Sequence, residues 1–406
     1  MMKYSIKFHS ITTLKRNLRC LHLHLCLLTM VTLASLSLSS CTEEGTDVDD
    51  INKQTILVFM PWTDQASLQA VFEQNIDSMK TAISKEKGMA NSRLMVFMSS
   101  SSDNARLFEI TWAKNTGCVE KTVKEYNDAP QQSAEGIAEV IGDAQKSAPA
   151  LNYALIIGGH GTGWTYKDLW TNYPYRVKRS FGSVSDKANA IDIETLAEAI
   201  AATGTTMQYI LFDNCYMANV EVAYALKDVT NFLVASTSEI NLIGMPYKSM
   251  WSSLCSATPS YSGMTQAYKT FYSKYKIPCG SLSAIDCRKL TELAAVMKEI
   301  NSRYSLADSL RDSIQTTDGF NQHIFYDMTD YVEHLAPSRA LTNRYNTAVK
   351  AAIRSNAYTE TFYSYIYNKA VTIDVKTHCG VTISDPSINS VALNGREKTS
   401  WWKATH

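Results

Sequence analysis

Ala154-Leu155-Ile156-Ile157-Gly158-Gly159-His160-Gly161-Thr162-Gly163-Trp164 joins an apolar run to a histidine flanked by glycines. A second stretch repeats the plan with a cysteine: Tyr209-Ile210-Leu211-Phe212-Asp213-Asn214-Cys215-Tyr216-Met217. Short continuous apolar runs of this kind read as strands buried on both faces, as in parallel sheets. Ligands of parallel sheets bind beyond the carboxyl ends of the strands, and that is where His160 and Cys215 fall. A thiol and an imidazole on that edge suit nucleophilic catalysis, in which a thiolate attacks and the imidazole moves the proton. Alone, a cysteine after a strand is more often a small buried hydrophobe, and a histidine among glycines is more often a loop residue. Together, at matching strand ends, they favour chemistry over packing.

Around these two stretches, strand and helix signals alternate from residue 55 onward. Ile56-Leu57-Val58-Phe59-Met60 reads as a strand, and Leu68, Val71, Phe72, Ile76, Met79 and Ile83 follow a helical period. Leu94 to Met98 and Ala105 to Trp112 read as further strands, and Ser133 opens a helix carrying Ile137, Val140, Ile141 and Ala144. Thr195 to Ala202 is helical and stops at Gly204, a residue type suited to a C-cap. A helix is expected to begin directly after Cys215, with Met217, Val220 and Tyr224 on one face, followed by a strand at Phe232 to Ala235. This alternation predicts a layered α/β/α fold with a mainly parallel central sheet. Beyond about residue 260 the texture changes. Leu290, Leu293, Met297, Ile300 and Tyr304 mark an amphipathic helix, more helices are expected over 306–355, and Ala370 to Val375 and Val381 to Ser384 read as a late strand pair. The reading is therefore a core over 55–260 with a C-terminal α/β extension, 261–406, packed on it.

The first forty residues read as a targeting segment. Lys3, Lys7, Lys15, Arg16 and Arg19 precede an apolar stretch from Leu25 to Leu38, and Leu38-Ser39-Ser40-Cys41 resembles a bacterial lipobox. On that reading Cys41 carries a lipid anchor, and 41–54, rich in Glu43, Glu44, Asp47, Asp49 and Asp50, is a solvated tether. The location implied is the bacterial cell envelope, as an outer-membrane lipoprotein. The alternative is an ordinary secretory signal with an incidental cysteine. From Cys41 onward 366 residues remain (406 − 40), ample for a large core. Lysine plus arginine and aspartate plus glutamate each total 39, and no basic stripe stands out, which argues against a nucleic-acid partner. Cys118, Cys215, Cys255, Cys279, Cys287 and Cys379 form no CxxC pair, so no metal cluster is suggested. Gly158-Gly159-His160-Gly161 lacks the lysine of a phosphate loop.

At the histidine and cysteine blocks the chain resembles the clostripain family of cysteine peptidases, relatives of the caspases. The separation of 55 positions (215 − 160) is close to the roughly 50 residues between histidine and cysteine in caspases. Val220-Glu221-Val222-Ala223-Tyr224 behind the cysteine, Gly380-Val381-Thr382-Ile383 and Trp401-Trp402 extend the resemblance toward the C-terminus. The resemblance implies a caspase-like fold and a dyad in which Cys215 attacks the scissile carbonyl and His160 protonates the leaving amine. It also implies backbone amides of Gly161 and Cys215 as oxyanion donors. Family members that cleave after arginine or lysine use acidic side chains in the pocket, which points to Asp213. Asp213 reads equally as a structural carboxylate capping the following turn. In Ser238-Glu239-Ile240-Asn241-Leu242-Ile243-Gly244-Met245-Pro246-Tyr247 the sole acid is Glu239, and the loop is more apolar than the resemblance leads one to expect. Residues 165–190, with Arg176, Lys178 and Arg179, read as a long loop that self-cleavage could cut. No cofactor is called for; calcium dependence varies in the family, and no EF-hand-like loop occurs. His378 and Cys379 are adjacent, so in a strand they point to opposite faces and do not suggest a second dyad. The expectation is an envelope endopeptidase acting on proteins or peptides after basic residues. The alternative is a binding or adhesion module on the same fold.

Overall fold

The strand signals on either side of His160 and Cys215 become the middle of one sheet. The computed structural model describes residues 52–61, 66–128, 130–170, 190–366 and 369–406. The targeting segment, Cys41, most of the acidic tether, and Arg176, Lys178 and Arg179 of the cleavable loop lie outside the described residues. In chain order the elements are β1 (Gln54–Met60), α1 (Ala66–Glu86), β2 (Ser92–Ser99), β3 (Ala105–Ala113) and β4 (Gly117–Tyr126). Next come α2 (Ala134–Ser147), β5 (Asn152–Gly158), α3 (Ile193–Ala202), β6 (Tyr209–Asp213), α4 (Val220–Ala225) and β7 (Phe232–Ala235). The second half adds α5 (Tyr247–Cys255), α6 (Tyr261–Tyr272), β8 (Ser281–Asp286), α7 (Leu290–Asn301), β9 (Tyr326–Asp327), α8 (Met328–Leu335) and α9 (Arg339–Ala352). It closes with β10 (Ile353–Tyr358), β11 (Thr361–Ile366), β12 (Lys369–Asp374), β13 (Thr382–Ile383) and two short helices.

Nine strands form the main sheet in the order β10-β8-β7-β6-β5-β1-β2-β3-β4. Its centre, from β7 to β2, is parallel, and β8, β10, β3 and β4 add antiparallel edges. The alternation of side chains along each strand divides the core. Leu57, Phe59, Leu155, Ile157, Ile210 and Phe212 face one layer, built from α2, α3, α4, α7 and α9. Ile56, Val58, Met60, Ala154, Ile156 and Leu211 face the other, built from α1, α5 and α6. Each fully buried side chain of this size contributes roughly 1.5–3 kcal/mol, so both layers hold the central strands firmly. Ser133 caps α2, its hydroxyl accepting from the Gly136 N–H at 3.1 Å. The architecture is the layered α/β fold that the alternating signals predict.

Several elements depart from the pattern of the sequence. β4 carries no strand signal because Glu120, Lys121, Lys124 and Glu125 interrupt any apolar run; charge of this kind suits an edge strand. The C-terminal half contributes β8 and β10 to the main sheet itself. The two late strand signals are real but do not pair with each other: β12 pairs with β11, and β13 with β9. The helix after Cys215 starts only at Val220, where the Asn219 side chain accepts from the Val222 N–H at 2.8 Å. Cys215 therefore does not sit at a helix N-terminus.

Candidate active site

β5 and β6 are parallel neighbours, and their last residues, Gly158 and Asp213, are register partners. His160 and Cys215 each lie two positions beyond that pair. Equal offsets from adjacent strand ends bring the two side chains onto one cavity of about 310 Å³, lined also by Gly159, Asp213, Asn214, Glu239 and Ile240. The loops are tied together. The Asn214 side-chain amide donates to the His160 carbonyl at 2.8 Å. A Cβ on Gly161 would lie 2.9 Å from the Cys215 nitrogen, so only glycine fits where the loops cross. The missing side chain of Gly161 thus makes room for the Cys215 backbone rather than for a substrate.

The backbone turns sharply directly after the half-buried Cys215. Tyr216 adopts a left-handed conformation, φ 61°, which costs energy in a bulky residue and needs support from its surroundings. That support is visible: the Tyr216 N–H donates to the Ser238 carbonyl at 3.0 Å, and its ring stacks on Phe325 with centroids 5.2 Å apart. The Ile240 N–H points at the Cys215 sulfur at 3.3 Å. The Cys215 thiol in turn donates to the Ile240 carbonyl at 3.7 Å, so both backbone groups of Ile240 hold the sulfur.

Asp213 lies on the floor of the same cavity and is 8% exposed. Its Oδ2 accepts from the Tyr247 hydroxyl at 2.9 Å and the Met245 N–H at 3.2 Å, with the Asn75 amide at 3.5 Å. Burial pushes the Asp213 carboxyl up to about 6, and the Met245 and Tyr247 hydrogen bonds pull the other way. Glu239 also lines the cavity. Its Oε2 accepts from the Tyr365 N–H at 2.7 Å, the Tyr216 hydroxyl at 3.1 Å and the Ser364 hydroxyl at 3.2 Å. Glu239 thereby ties β11 to the Tyr216 side of the cavity.

Sequence pattern does not single out Asn75, Tyr247, Tyr363 and Tyr365, all in or under this cavity. Asn75 does carry a signal. It falls on the apolar face of α1, between Phe72, Ile76 and Met79, and a polar residue in that stripe marks a buried partner. Tyr363 and Tyr365 arrive from the C-terminal half on β11, and no local pattern announces them. His378 sits elsewhere, 2.8 Å from the Thr237 hydroxyl, and burial pushes its imidazole down to about 3. Cys118, Cys255, Cys279, Cys287 and Cys379 carry free thiols. Among the described residues no cluster of three His, Cys, Asp or Glu side chains could hold a metal ion.

A thiol and an imidazole on one cavity at the carboxyl edge of a parallel sheet define a layout for cysteine-based acyl transfer. Comparisons with known proteins give it a family. The Clostripain family model matches residues 58–385. A secreted C11 cysteine protease from Bacteroides thetaiotaomicron, iotapain, is 38% identical, with a TM-score of 0.81 over 88% of this chain and 99% of that one. A clostripain from the same species, solved with the peptide inhibitor BTN-VLTK-AOMK, is 43% identical, with a TM-score of 0.53 over 55% of this chain and 97% of that one. An inactive zymogen C11 protease from Parabacteroides distasonis shares the fold at 24% identity, with a TM-score of 0.75 over 88% of this chain and 99% of that one. No curated protein matches. The chain belongs to the clostripain family and is a cysteine peptidase.

Proposed function

We propose that this peptidase is an endopeptidase that cleaves after basic residues with a Cys215/His160 dyad. Cys215 thiolate adds to the scissile carbonyl and forms the acyl-enzyme; His160 protonates the departing amine, and water then releases the acyl group. The Gly161 and Cys215 N–H groups stabilise the oxyanion. Asp213 pairs with the arginine or lysine side chain of the residue before the cut, and Glu239 adds negative charge to the cavity wall. The observation that carries the reading is the cavity itself, which holds His160, Cys215 and the buried Asp213 carboxyl together. The relative solved with BTN-VLTK-AOMK, an inhibitor with lysine beside the AOMK group, supports the basic preference.

Cys41 is proposed as the site of a lipid anchor that holds the enzyme at the cell envelope, with 41–54 as its tether. The lipobox-like Leu38-Ser39-Ser40-Cys41 supports the anchor, and the description of iotapain as secreted supports export from the cytoplasm. Self-cleavage near Arg176, Lys178 or Arg179 is part of the same proposal.

The experiment is labelling with arginyl, lysyl and uncharged acyloxymethyl ketones, comparing wild type with Cys215→Ala. Basic probes are expected to label wild type alone. Folded wild-type protein that reacts with no probe defeats the dyad, and reaction with uncharged probes only defeats the basic preference. In cells, Cys41→Ser is expected to move the protein from the membrane to the soluble fraction.

A further inference from the structure

Beneath the catalytic loops, on the side away from the cavity, lies a buried acid that the peptidase chemistry does not use. Glu221 is 2% exposed and sits on α4, six residues after Cys215. Its Oε1 accepts from the Ser384 N–H at 2.8 Å. The Ser384 hydroxyl in turn accepts from the Trp164 indole N–H at 2.7 Å. Trp164 ends the stretch that begins with His160, and Ser384 comes directly after β13. Glu221 and Ser384 together therefore connect three segments distant in sequence, the carboxyl through the Ser384 N–H and the Ser384 hydroxyl through Trp164.

The contacts around it run along the same seam. The Thr382 N–H donates to the Ala218 carbonyl at 3.0 Å, and the Ala218 N–H to the Ser236 carbonyl at 2.8 Å. The Asn219 amide donates to the Tyr216 carbonyl at 2.7 Å. A Cβ on Gly163, φ 65°, would lie 2.7 Å from that same Asn219 amide. The loop from Cys215 to Asn219 is thus bounded by β7 on one side, by β13 on another and by the 160–164 segment on a third. Glu221 and Ser384 close the side that no backbone ladder covers.

We propose that Glu221 is a positioning residue for the peptidase reaction, holding the His160 and Cys215 segments in one register through Ser384 and Trp164. The proposal rests on His160 and Cys215 being the reacting pair. Glu221 touches neither substrate nor the reacting atoms; it acts through the segments it ties.

The groups that face the seam set the protonation state. Asp385 is the charged group that acts on Glu221; its own surroundings hold the Arg396 guanidinium, the Tyr331 hydroxyl and the His406 imidazole, the last at 3.8 Å. Burial, then the Asp385 charge, pushes the Glu221 carboxyl up to about 8, against the Ser384 contacts. Burial also raises Asp385, offset by Arg396 and Asn301. Near neutral pH the pair keeps a proton that the unfolded chain would release. An acid raised in the folded state contributes its stability below its unfolded value and loses it as pH climbs through the folded one. The cost of Glu221 accordingly grows between about pH 4.3 and pH 8. Glutamine copies the protonated form: its carbonyl keeps the Ser384 N–H, and its uncharged amide takes the place of Glu221 Oε2, which has no hydrogen-bond partner among the described residues.

The test compares Glu221→Ala, Glu221→Gln, Ser384→Ala and Cys215→Ala in the full chain, with kcat and KM on an arginyl peptide substrate and thermal melts from pH 4 to 9. Glu221→Ala is expected to lower kcat per folded molecule at least tenfold with KM within twofold. Glutamine is expected to restore kcat to within twofold and to melt higher than wild type at pH 8 but not at pH 4. Ser384→Ala, which keeps the backbone donor and loses the indole's acceptor, is expected to lower kcat severalfold. If Glu221→Ala does not fold, unchanged kcat in Ser384→Ala overturns the proposal. Glu221→Ala with normal kcat overturns it, and so does Glu221→Gln as inactive as alanine. Activity remaining in Cys215→Ala overturns the dyad reading instead, so the two failures are separable.

Discussion

Replacing Asp213 with asparagine is expected to change activity and stability in opposite directions. Asp213 is buried on the cavity floor with donors from Tyr247 and Met245 on one oxygen. An arginyl side chain that loses the partner of a buried ion pair forfeits roughly 2–5 kcal/mol. At about 1.4 kcal/mol per tenfold, kcat/KM for arginyl substrates should fall on the order of 30-fold to several-thousand-fold. Substrates with an uncharged residue before the cut should change less than about threefold by the same physical argument. Stability moves the other way. The carboxyl is raised from 3.8 to about 6 in the folded enzyme, so it is neutral in both states below pH 3.8 and costs nothing there. As pH climbs toward 6 the unfolded chain ionises and the folded one resists, a difference of roughly 3 kcal/mol at 1.36 kcal/mol per unit. Asparagine removes that cost, so Asp213→Asn should melt several degrees above wild type at pH 8 and level with it at pH 3.5. The same titration gives wild type an acid limb: arginyl kcat/KM should drop as pH falls through about 6, when the carboxyl takes its proton. The assays are peptidyl-coumarin hydrolysis with arginyl and uncharged substrates across pH 4.5–8, and calorimetry of both proteins. Equal loss of arginyl and uncharged substrates, or a variant no more stable at pH 8, would refute the reasoning.

Asp213 itself is visible in the sequence, whereas its setting is not. His160, Asp213 and Cys215 are legible because central parallel strands are short apolar runs, and the residues after such a run land at the carboxyl edge of the sheet. The shared register of Gly158 and Asp213 then makes equal offsets in sequence into neighbours in space. Pairing rules of this kind are local, so pattern reading reaches them. The environment of Asp213 is not local. Tyr247 comes from the start of α5, Asn75 from α1, and both reach the carboxyl only after the sheet has formed. β11 brings Tyr363 and Tyr365 to the cavity across more than a hundred residues of chain. The same contrast separates the strands. β1 and β5 are apolar on both faces and plain to see, whereas β4 is an edge strand whose lysines and glutamates disguise it. The short loop between Cys215 and α4 is deceptive for a related reason: Met217, Val220 and Tyr224 are all apolar, but Met217 is buried in a turn held by backbone contacts and not by helical ones.

Two further substitutions probe how the cavity is held. Tyr247→Phe removes the hydroxyl that donates to Asp213 at 2.9 Å, and a hydrogen bond to a charged group is worth about 1.5–3 kcal/mol. The acid limb of arginyl kcat/KM should therefore move up by roughly one pH unit or more; a limb that stays in place would show that another group sets it. Gly161→Ala tests the crossing of the two loops. The new Cβ would stand 2.9 Å from both the Cys215 nitrogen and the Asn214 Cβ, a separation that ordinary contacts do not reach. The Cys215 carbonyl oxygen stands nearer still, and all three obstacles are rigid, two being backbone and the third the root of a side chain, so the loops must part. Displacement by about 1 Å can cost on the order of a hundredfold in rate, and kcat/KM is expected to fall by about that factor. Gly142→Ala is the control: it lies in α2 with nothing within 4 Å of its Cβ, and alanine there should add roughly 0.5–1 kcal/mol of helix stability. Activity of Gly161→Ala within threefold of wild type, measured beside that control, would mean that His160 and Cys215 tolerate separation, and the register of β5 with β6 would then not be what aligns them.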